Sequence, residues 1–463
     1  MKSNKKNYSH KWKYFTVSIF FLLTLLLAIF VLTKYFKNHQ LMSSTNQSEA
    51  VSTATNSQTE AAIVSETTIE QLPLENEFLF EGLDKKEQSE PYVPTENKIT
   101  LRSVGDILIH DRVSFMADTQ SEIYQNKKVK MLDEGFDSDA FNEELDYDFA
   151  PMLAYIKPYI EYADISVANM EVIAGHPTIP VSGYPSFNAP QEILPALKDI
   201  GIDILSNATN HTLDWSSEGV HASLSNMNEY GLMYYGSFDS WEDYQTPRII
   251  DKNGIKLGFL AYSYGTNGIP VPVGEEYLVN LIDLPVMLKE VEQLQKEVDA
   301  VIVSLQLGGE YDTLPNDEQF YIYQALSDAG VKLILGGHPH CLQPYDWYNE
   351  GQTFAIYSQA SFLTGQRELD NKLGGITEIS FIKNEQGEII VDNPKFMPIF
   401  SLGIENEKMY QTVPLADFNF QEIPDGQSWW DTIKERMEYY TEEVDFVSHL
   451  ETKSSHEAKA TFQ

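Results

Sequence analysis

The sequence predicts an α/β fold built on a largely parallel sheet. Short apolar runs rich in Val and Ile recur from residue 99 onward, with the length and β-branched content of buried strands. Stretches with apolar residues at helical spacing lie between them, and such alternation argues for parallel pairing. Hydrophobic residues make up 42% of the 463 residues, enough for a substantial core.

In chain order, residues 1–13 are basic, with Lys2, Lys5, Lys6, Lys11 and Lys13. Residues 14–33 are nearly all apolar and uncharged, about the length of a helix that crosses a bilayer. The run exceeds the apolar core of a cleaved signal peptide, and no small-residue cleavage site follows it. The larger lysine cluster precedes the run, so the positive-inside rule predicts a single-pass cell-membrane protein with a cytoplasmic N-terminus and the remainder outside. Residues 34–97 are dominated by Ser, Thr, Asn, Gln and Glu and read as a flexible stalk that cannot bury enough apolar surface to order itself. Within it, residues 74–83 are either a docking segment or a stray helical turn.

The folded region spans 98–400. Residues 99–104 alternate like a strand that Gly105-Asp106 ends. A helix is expected over 146–162 despite Pro158, then a strand over 165–168 ended by Asn169-Met170-Glu171. A helix over 190–200 leads to a strand over 202–205, which the run from Asn207 to His211 ends. A helix over 216–230 follows, then a hairpin turn at Asn253-Gly254 and a strand over 256–261. Helix 284–298, strand 300–305 ended by Gln306, helix 317–329 and strand 331–335 complete the alternation. Strands at 354–357, 376–382 and 389–391 look like antiparallel additions, with turn signals at 349–351 and 384–387. Residues 401–463 form a C-terminal extension with one amphipathic helix over 429–447 and a polar tail.

Charge and cysteine usage exclude some functions. Lys and Arg number 32 against 69 Asp and Glu, a net charge of −37. This argues against nucleic acid as a partner, because phosphate backbones need a basic footprint. A polyanion would also be repelled unless bound cations bridge it. The lone cysteine, Cys341, excludes an intrachain disulfide framework and a cysteine-rich zinc site.

The chemistry-bearing stretch is Gly336-Gly337-His338-Pro339-His340. The glycines let the chain turn at a strand end, and Pro339 biases His338 toward extended backbone. Residues two apart in an extended segment point the same way, so His338 and His340 are expected to share one space at the carboxyl end of a strand, where open α/β sheets keep their sites. Two histidines alone are as compatible with a solvated loop. What favours a site is recurrence. Five strands end in polar groups: Asp106; Asn169 with Glu171; Asn207 with Asn210 and His211; Gln306 with Glu310; His338 with His340. Carboxylates, amides and imidazoles at one sheet edge are what a binuclear hydrolytic metal site uses, with an uncoordinated histidine as general acid.

The runs Ser103–Leu108, Ala168–Glu171, Phe187–Pro190, Asn207–Asp214, Gly308–Tyr311 and Gly337–His340 occur in that order. With them the chain resembles the CapA family of bacterial capsule and poly-γ-glutamate synthesis proteins. The resemblance implies a calcineurin-like metallophosphoesterase fold, a layered α/β/β/α sandwich. It implies one metal held by Asp106 and His340, another by Asn210 and His338, Glu171 bridging, and His211 as general acid. Asn169, Asn207, Asp214, Gln306, Glu310 and His110 are further candidates. The cofactor it implies is a divalent transition metal (Mn, Fe or Zn), one or two ions. Leu108 stands where the superfamily's first motif has a histidine, with His110 further on. Gln306 stands where the family commonly has a histidine, and an amide is a poorer ligand than imidazole. One tightly held ion is therefore expected, with a second weak or absent. Two functions follow. One is polymer synthesis or export, with an anionic cell-envelope polymer and polymer-synthase membrane subunits as partners. The other is metal-dependent hydrolysis of a small phosphoester or envelope substrate.

Overall fold

The strand Ala300–Gln306 shows how the core is laid out. Its Ala300 and Ile302 belong to one apolar cluster, and its Val301, Val303 and Leu305 to another. Successive strand side chains point to opposite faces, so this strand lies between two apolar layers and is buried along its whole length.

The structure is a computed structural model that describes residues 97–133, 135, 137–403, 409–417 and 426–452. The apolar run 14–33 and the stalk up to residue 96 lie outside the described residues. Among the described residues no helix is long and apolar enough to cross a membrane.

The strands are β1 (Lys98–Leu108), β2 (Ile165–Met170), β3 (Ile204–Ser206), β4 (Met233–Tyr235), β5 (Ile249–Lys252), β6 (Ile255–Ser263), β7 (Ala300–Gln306), β8 (Leu333–Gly337), β9 (Gln343–Tyr348), β10 (Thr353–Ser358), β11 (Ser361–Thr364), β12 (Leu373–Lys383), β13 (Ile389–Leu402), β14 (Gln411–Pro414) and β15 (Asp445–Phe446). They form two sheets. One runs β14-β13-β12-β1-β2-β3-β4, with β11 on β1 and β15 on β13; the other runs β5-β6-β7-β8-β10-β9. The strands β1 to β4 pair in parallel, as do β6, β7, β8 and β10. The outer strands β12, β13, β14, β5 and β9 add antiparallel pairs. The sheets share one core: Ile99 and Leu101 of β1 cluster with Leu257 and Phe259 of β6 and Leu333 and Leu335 of β8. The far face of the second sheet is covered by the helices Leu284–Leu294 and Asp317–Asp328 through Met287, Val291, Ile322, Tyr323 and Leu326. The helix Ser216–Glu229 packs by β4.

Several expectations are corrected. The described residues form two mixed sheets, where the alternation of strands and helices alone predicts one largely parallel sheet. Strand β1 does not end at Asp106; its ladder slips at Asp106 and runs on to Leu108 beside β2 and β11. Such a bulge re-aims a side chain without ending the strand. The expected helix 146–162 is two short helices, Ala150–Leu153 and Lys157–Ile160, each with a proline in its first turn. Proline is tolerated there because its missing N–H would be unpaired anyway, but it does not continue a preceding helix. Strand β10 is not purely an antiparallel addition, since it pairs β8 in parallel. The expected helix 429–447 is a helix over Gly426–Met437 followed by β15. The helices Asp111–Ala117 and Glu122–Asp133 and the strands β9 and β11 were not legible as elements.

Candidate functional site

The two sheets bring their strand ends to one place. The first contributes Asp106 from β1, Asn169 from β2 and Glu171 just after it. The second contributes Gln306 from β7 and the turn after β8. Gly105 lets β1 approach closely: a Cβ there would lie 1.9 Å from the Ala360 carbonyl oxygen, and the Asp106 N–H donates to that oxygen at 2.6 Å.

The turn after β8 is not the extended segment that Pro339 suggests. His338 has φ +94° and His340 φ +57°, conformations that cost of order 1–3 kcal/mol at a non-glycine residue. Tertiary contacts hold them: the Leu307 N–H donates to the Gly337 carbonyl and the Tyr311 N–H to the Pro339 carbonyl. The two imidazoles converge all the same, with ring centroids 6.2 Å apart, through the turn and not through strand alternation.

Asp106, Glu171 and His340 are buried, and each offers an atom within 4.8 Å of the others. His340 Nδ1 lies 3.1 Å from Asp106 Oδ2 and 3.7 Å from Glu171 Oε2. Burial and the neighbouring Asp106 charge push Glu171 well above the usual carboxylate range. Burial alone would lower His340, but the Glu171 and Asp106 charges outweigh it and push it up to about 9. Glu171 Oε2 is buried without a hydrogen-bond partner. Two crowded carboxylates, an imidazole and an orphaned buried oxygen fit a divalent cation.

Beside this cluster runs a chain of amides. Asn169 Nδ2 donates to Asp106 Oδ1 at 2.8 Å and to Gln306 Oε1 at 3.2 Å. Gln306 Nε2 donates to Glu171 Oε1 and to Asn210 Oδ1, both at 3.0 Å. Asn210 Nδ2 donates to Asn267 Oδ1 at 3.2 Å, and Asn267 Nδ2 lies 3.4 Å from His211 Nδ1. Asn267 was missed in the sequence. Its signal is the Tyr264-Gly265-Thr266-Asn267-Gly268 run after β6, another strand end closed by polar and glycine residues.

His211 Nδ1 lies 2.8 Å from Asp214 Oδ2. The loop that carries both is knitted by Thr209 and Thr212: Thr209 Oγ1 donates to the Glu171 carbonyl at 2.6 Å and Thr212 Oγ1 to the Asn207 carbonyl at 2.8 Å. Asp214 is therefore an orienting partner for His211 and makes no side-chain cap on the helix Ser216–Glu229.

The remaining candidates lie outside the Asp106–Glu171–His340 group. Asn207 Oδ1 accepts the Ser237 N–H at 3.1 Å and braces the loop. His110 Nδ1 lies within 3.2 Å of both the Leu108 carbonyl oxygen and the Gly365 nitrogen, and burial pushes this histidine down to about 4. The Phe187 ring stands between it and His211, 5.3 Å from one and 4.8 Å from the other. His338 lies beside the cluster against Tyr264, with a ring-centroid distance of 4.5 Å, and its buried Nδ1 has no hydrogen-bond partner. Burial also pushes it down to about 4. Glu310 is exposed beside Tyr264 and Tyr311, whose hydroxyls its charge helps to push up after burial.

Comparisons with known proteins agree with the motifs. Residues 100–366 match the family model described as bacterial capsule synthesis protein PGA_cap. The capsule biosynthesis protein CapA of Bacillus anthracis is 26% identical over 224 residues, 46% of this chain and 53% of that protein. The PGA biosynthesis protein CapA of Bacillus subtilis (strain 168) is 26% identical over 254 residues, 51% of this chain and 63% of that protein. The match thus takes in less than two thirds of either relative. Among solved structures, the calcineurin-like phosphoesterase YfkN from Bacillus subtilis is similar at a TM-score of 0.37 and 14% identity, over 65% of this chain and 90% of that one. Haemophilus influenzae NAD nucleotidase is similar at a TM-score of 0.36 and 10% identity, over 79% of this chain and 67% of that one.

Proposed function

This chain belongs to the bacterial capsule synthesis protein PGA_cap family, and from that premise we propose that it acts in the synthesis or export of an anionic capsule-type polymer at the cell envelope. In this reading residues 14–33 anchor it in the membrane, the folded part lies outside, and the two-sheet architecture is of the calcineurin-like metallophosphoesterase class. The observation that carries the reading is the buried Asp106–Glu171–His340 cluster with its unpartnered Glu171 oxygen. A chain of net charge −37 needs a cation between itself and an anionic polymer. Asp106, Glu171 and His340 would hold a divalent Mn, Fe or Zn ion. Such an ion, when bound, supplies a concentrated positive charge that neutralises an anionic oxygen of the ligand. The chain's own residues hold the donors in place: Asn169 fixes Asp106, and Gln306 fixes Glu171. The tyrosines Tyr264 and Tyr311 flank the two imidazoles.

The test is genetic. In cells lacking the chromosomal copy, the full chain should restore surface polymer, and Asp106→Ala or His340→Ala at equal abundance should not. Normal polymer in the Asp106→Ala strain would overturn the reading.

A second reading, metal-dependent hydrolysis of a phosphoester or envelope bond, is favoured by one feature. The His211–Asp214 pair beside the cluster is the arrangement that holds an imidazole ready to move a proton. Chelator-sensitive cleavage of a phosphodiester probe by the purified full chain would establish it; no cleavage with the ion bound would dismiss it.

A further inference from the structure

We infer that the side-chain nitrogen of Gln306 stands where a second cation would sit, and that this site holds one divalent ion. The inference rests on the cation-binding reading above and adds the residue that sets the number of ions and how it does so.

A second ion bridged by Glu171 and bound to Asn210 would need one oxygen from each. Those two oxygens, Glu171 Oε1 and Asn210 Oδ1, both accept hydrogen bonds from Gln306 Nε2 at 3.0 Å. An NH₂ group has two N–H bonds, and this one spends both on the acceptors that the ion would claim. Gln306 is 2% exposed, so its amide has no solvent to swing into.

The orientation of the amide is fixed from its other end. Gln306 Oε1 accepts from Asn169 Nδ2, which also donates to Asp106 Oδ1. A flipped amide would set an oxygen against a carboxylate oxygen and a nitrogen against a nitrogen. Asn210 is fixed in turn, because its Nδ2 donates to Asn267 Oδ1. The backbone makes room for this packing at Gly337, where a Cβ would lie 2.9 Å from Gln306 Oε1.

Glu171 is thereby divided. Its Oε1 is committed to Gln306, and its unpartnered Oε2 is left for the ion shared with Asp106 and His340. Charge agrees. Two buried carboxylates balance one divalent ion, and a second would need a further anion, such as a hydroxide or the ligand itself, to balance it. Gln306 satisfies both oxygens without adding charge. It is a positioning residue, not a ligand.

The test uses the full-length chain purified in detergent, stripped with chelator, reloaded with Mn²⁺ and dialysed. Elemental analysis should give one equivalent, and electron paramagnetic resonance should show an isolated ion with no spin coupling. Gln306→His and Gln306→Glu, each offering a ligand and removing the NH₂ group, should rise to two equivalents with a coupled signal. Two retained equivalents in the wild type would overturn this inference while leaving the cation site intact. No retained equivalent would overturn the cation-binding reading and this inference with it. Folded variants, checked by circular dichroism, that stay at one equivalent would show that Gln306 is not what excludes the second ion. Should both variants fail to fold, the wild-type stoichiometry and spin signature decide.

Discussion

His211 Nδ1 and Asp214 Oδ2 lie 2.8 Å apart, and the same carboxylate oxygen accepts the Phe187 N–H at 2.7 Å. The carboxylate is thus held on two sides, and the imidazole that donates to it presents its other nitrogen, Nε2, away from the pair. Neither residue belongs to the Asp106–Glu171–His340 cluster. Under the hydrolytic reading, His211→Ala lowers turnover of the phosphodiester probe about 10²–10⁴-fold, with bound metal unchanged. Under the polymer-handling reading the same variant leaves surface polymer near normal. Loss of metal in this variant would place His211 among the ligands and contradict both.

A second prediction concerns stability. Arg102, Glu378 and Lys395 stand side by side across β1, β12 and β13. Arg102 Nε donates to Glu378 Oε2 at 2.7 Å, and Lys395 Nζ lies 2.8 Å from Glu378 Oε1. Burial alone would raise the Glu378 pKa, but the Arg102 and Lys395 charges outweigh it and hold it below the usual carboxylate range. A depressed carboxylate contributes stability above its unfolded pKa, and this is lost as pH falls through the folded value. Glu378→Gln should cost about 3–5 kcal/mol at neutral pH, because it leaves a fully buried guanidinium without its counter-charge. It should also flatten the acid limb of the pH–stability curve. Denaturant midpoints across pH measure both; an unchanged midpoint at pH 7 would show that the pair contributes nothing net.

A third prediction concerns Gly337. A Cβ there would lie 2.9 Å from Gln306 Oε1, 3.1 Å from Asn169 Nδ2 and 3.2 Å from Asp106 Oδ1. These groups are buried or half-buried and mutually hydrogen-bonded, so they have little room to give. Gly337→Ala should cost about 1–3 kcal/mol by overpacking and weaken Mn²⁺ binding about 10–100-fold through displaced supporting groups. Calorimetric titration against the wild type measures the second effect. Unaltered affinity would show that the amide chain tolerates displacement.

Topology is tested on intact cells. Protease should cut between residues 40 and 97, a stretch of mostly polar composition, and release a soluble fragment carrying the folded part. A folded part protected until lysis would place it on the other side of the membrane.

The candidate residues were legible because strand ends close with polar groups, a pattern visible one strand at a time. Asp106, Asn169, Gln306 and His340 could be picked out in this way. Residue pattern alone did not give their hydrogen bonds, because each joins residues far apart in the chain; only the family resemblance grouped Asp106, Glu171 and His340. Gln306 shows the difference: composition ranks it as a poor ligand, whereas its geometry makes it a donor to Glu171 and Asn210. Asn267 stands out less in the sequence because it lies between glycines, in a Gly265–Gly268 run that reads as an ordinary turn. The turn at His338 escaped because a local rule for residues before proline was overridden by contacts from Leu307 and Tyr311. The split helix at Pro151 and Pro158 was the reverse case, where the local rule deserved more weight than apolar spacing.

The pairing of Asp106 with His340 closes a span of 234 residues. No fragment that stops short of β8 contains the imidazole, and a loop of that size does not gather its ends until the sheets between them have formed. The donors therefore do not exist as a set in the unfolded chain, and an ion that binds only the finished fold acts as a late clasp on it, not as a seed. Under the proposed topology, with the folded part outside the membrane, the metal is drawn from the compartment where folding ends, and the concentration of free ion outside the cell, not inside, sets how many molecules are loaded.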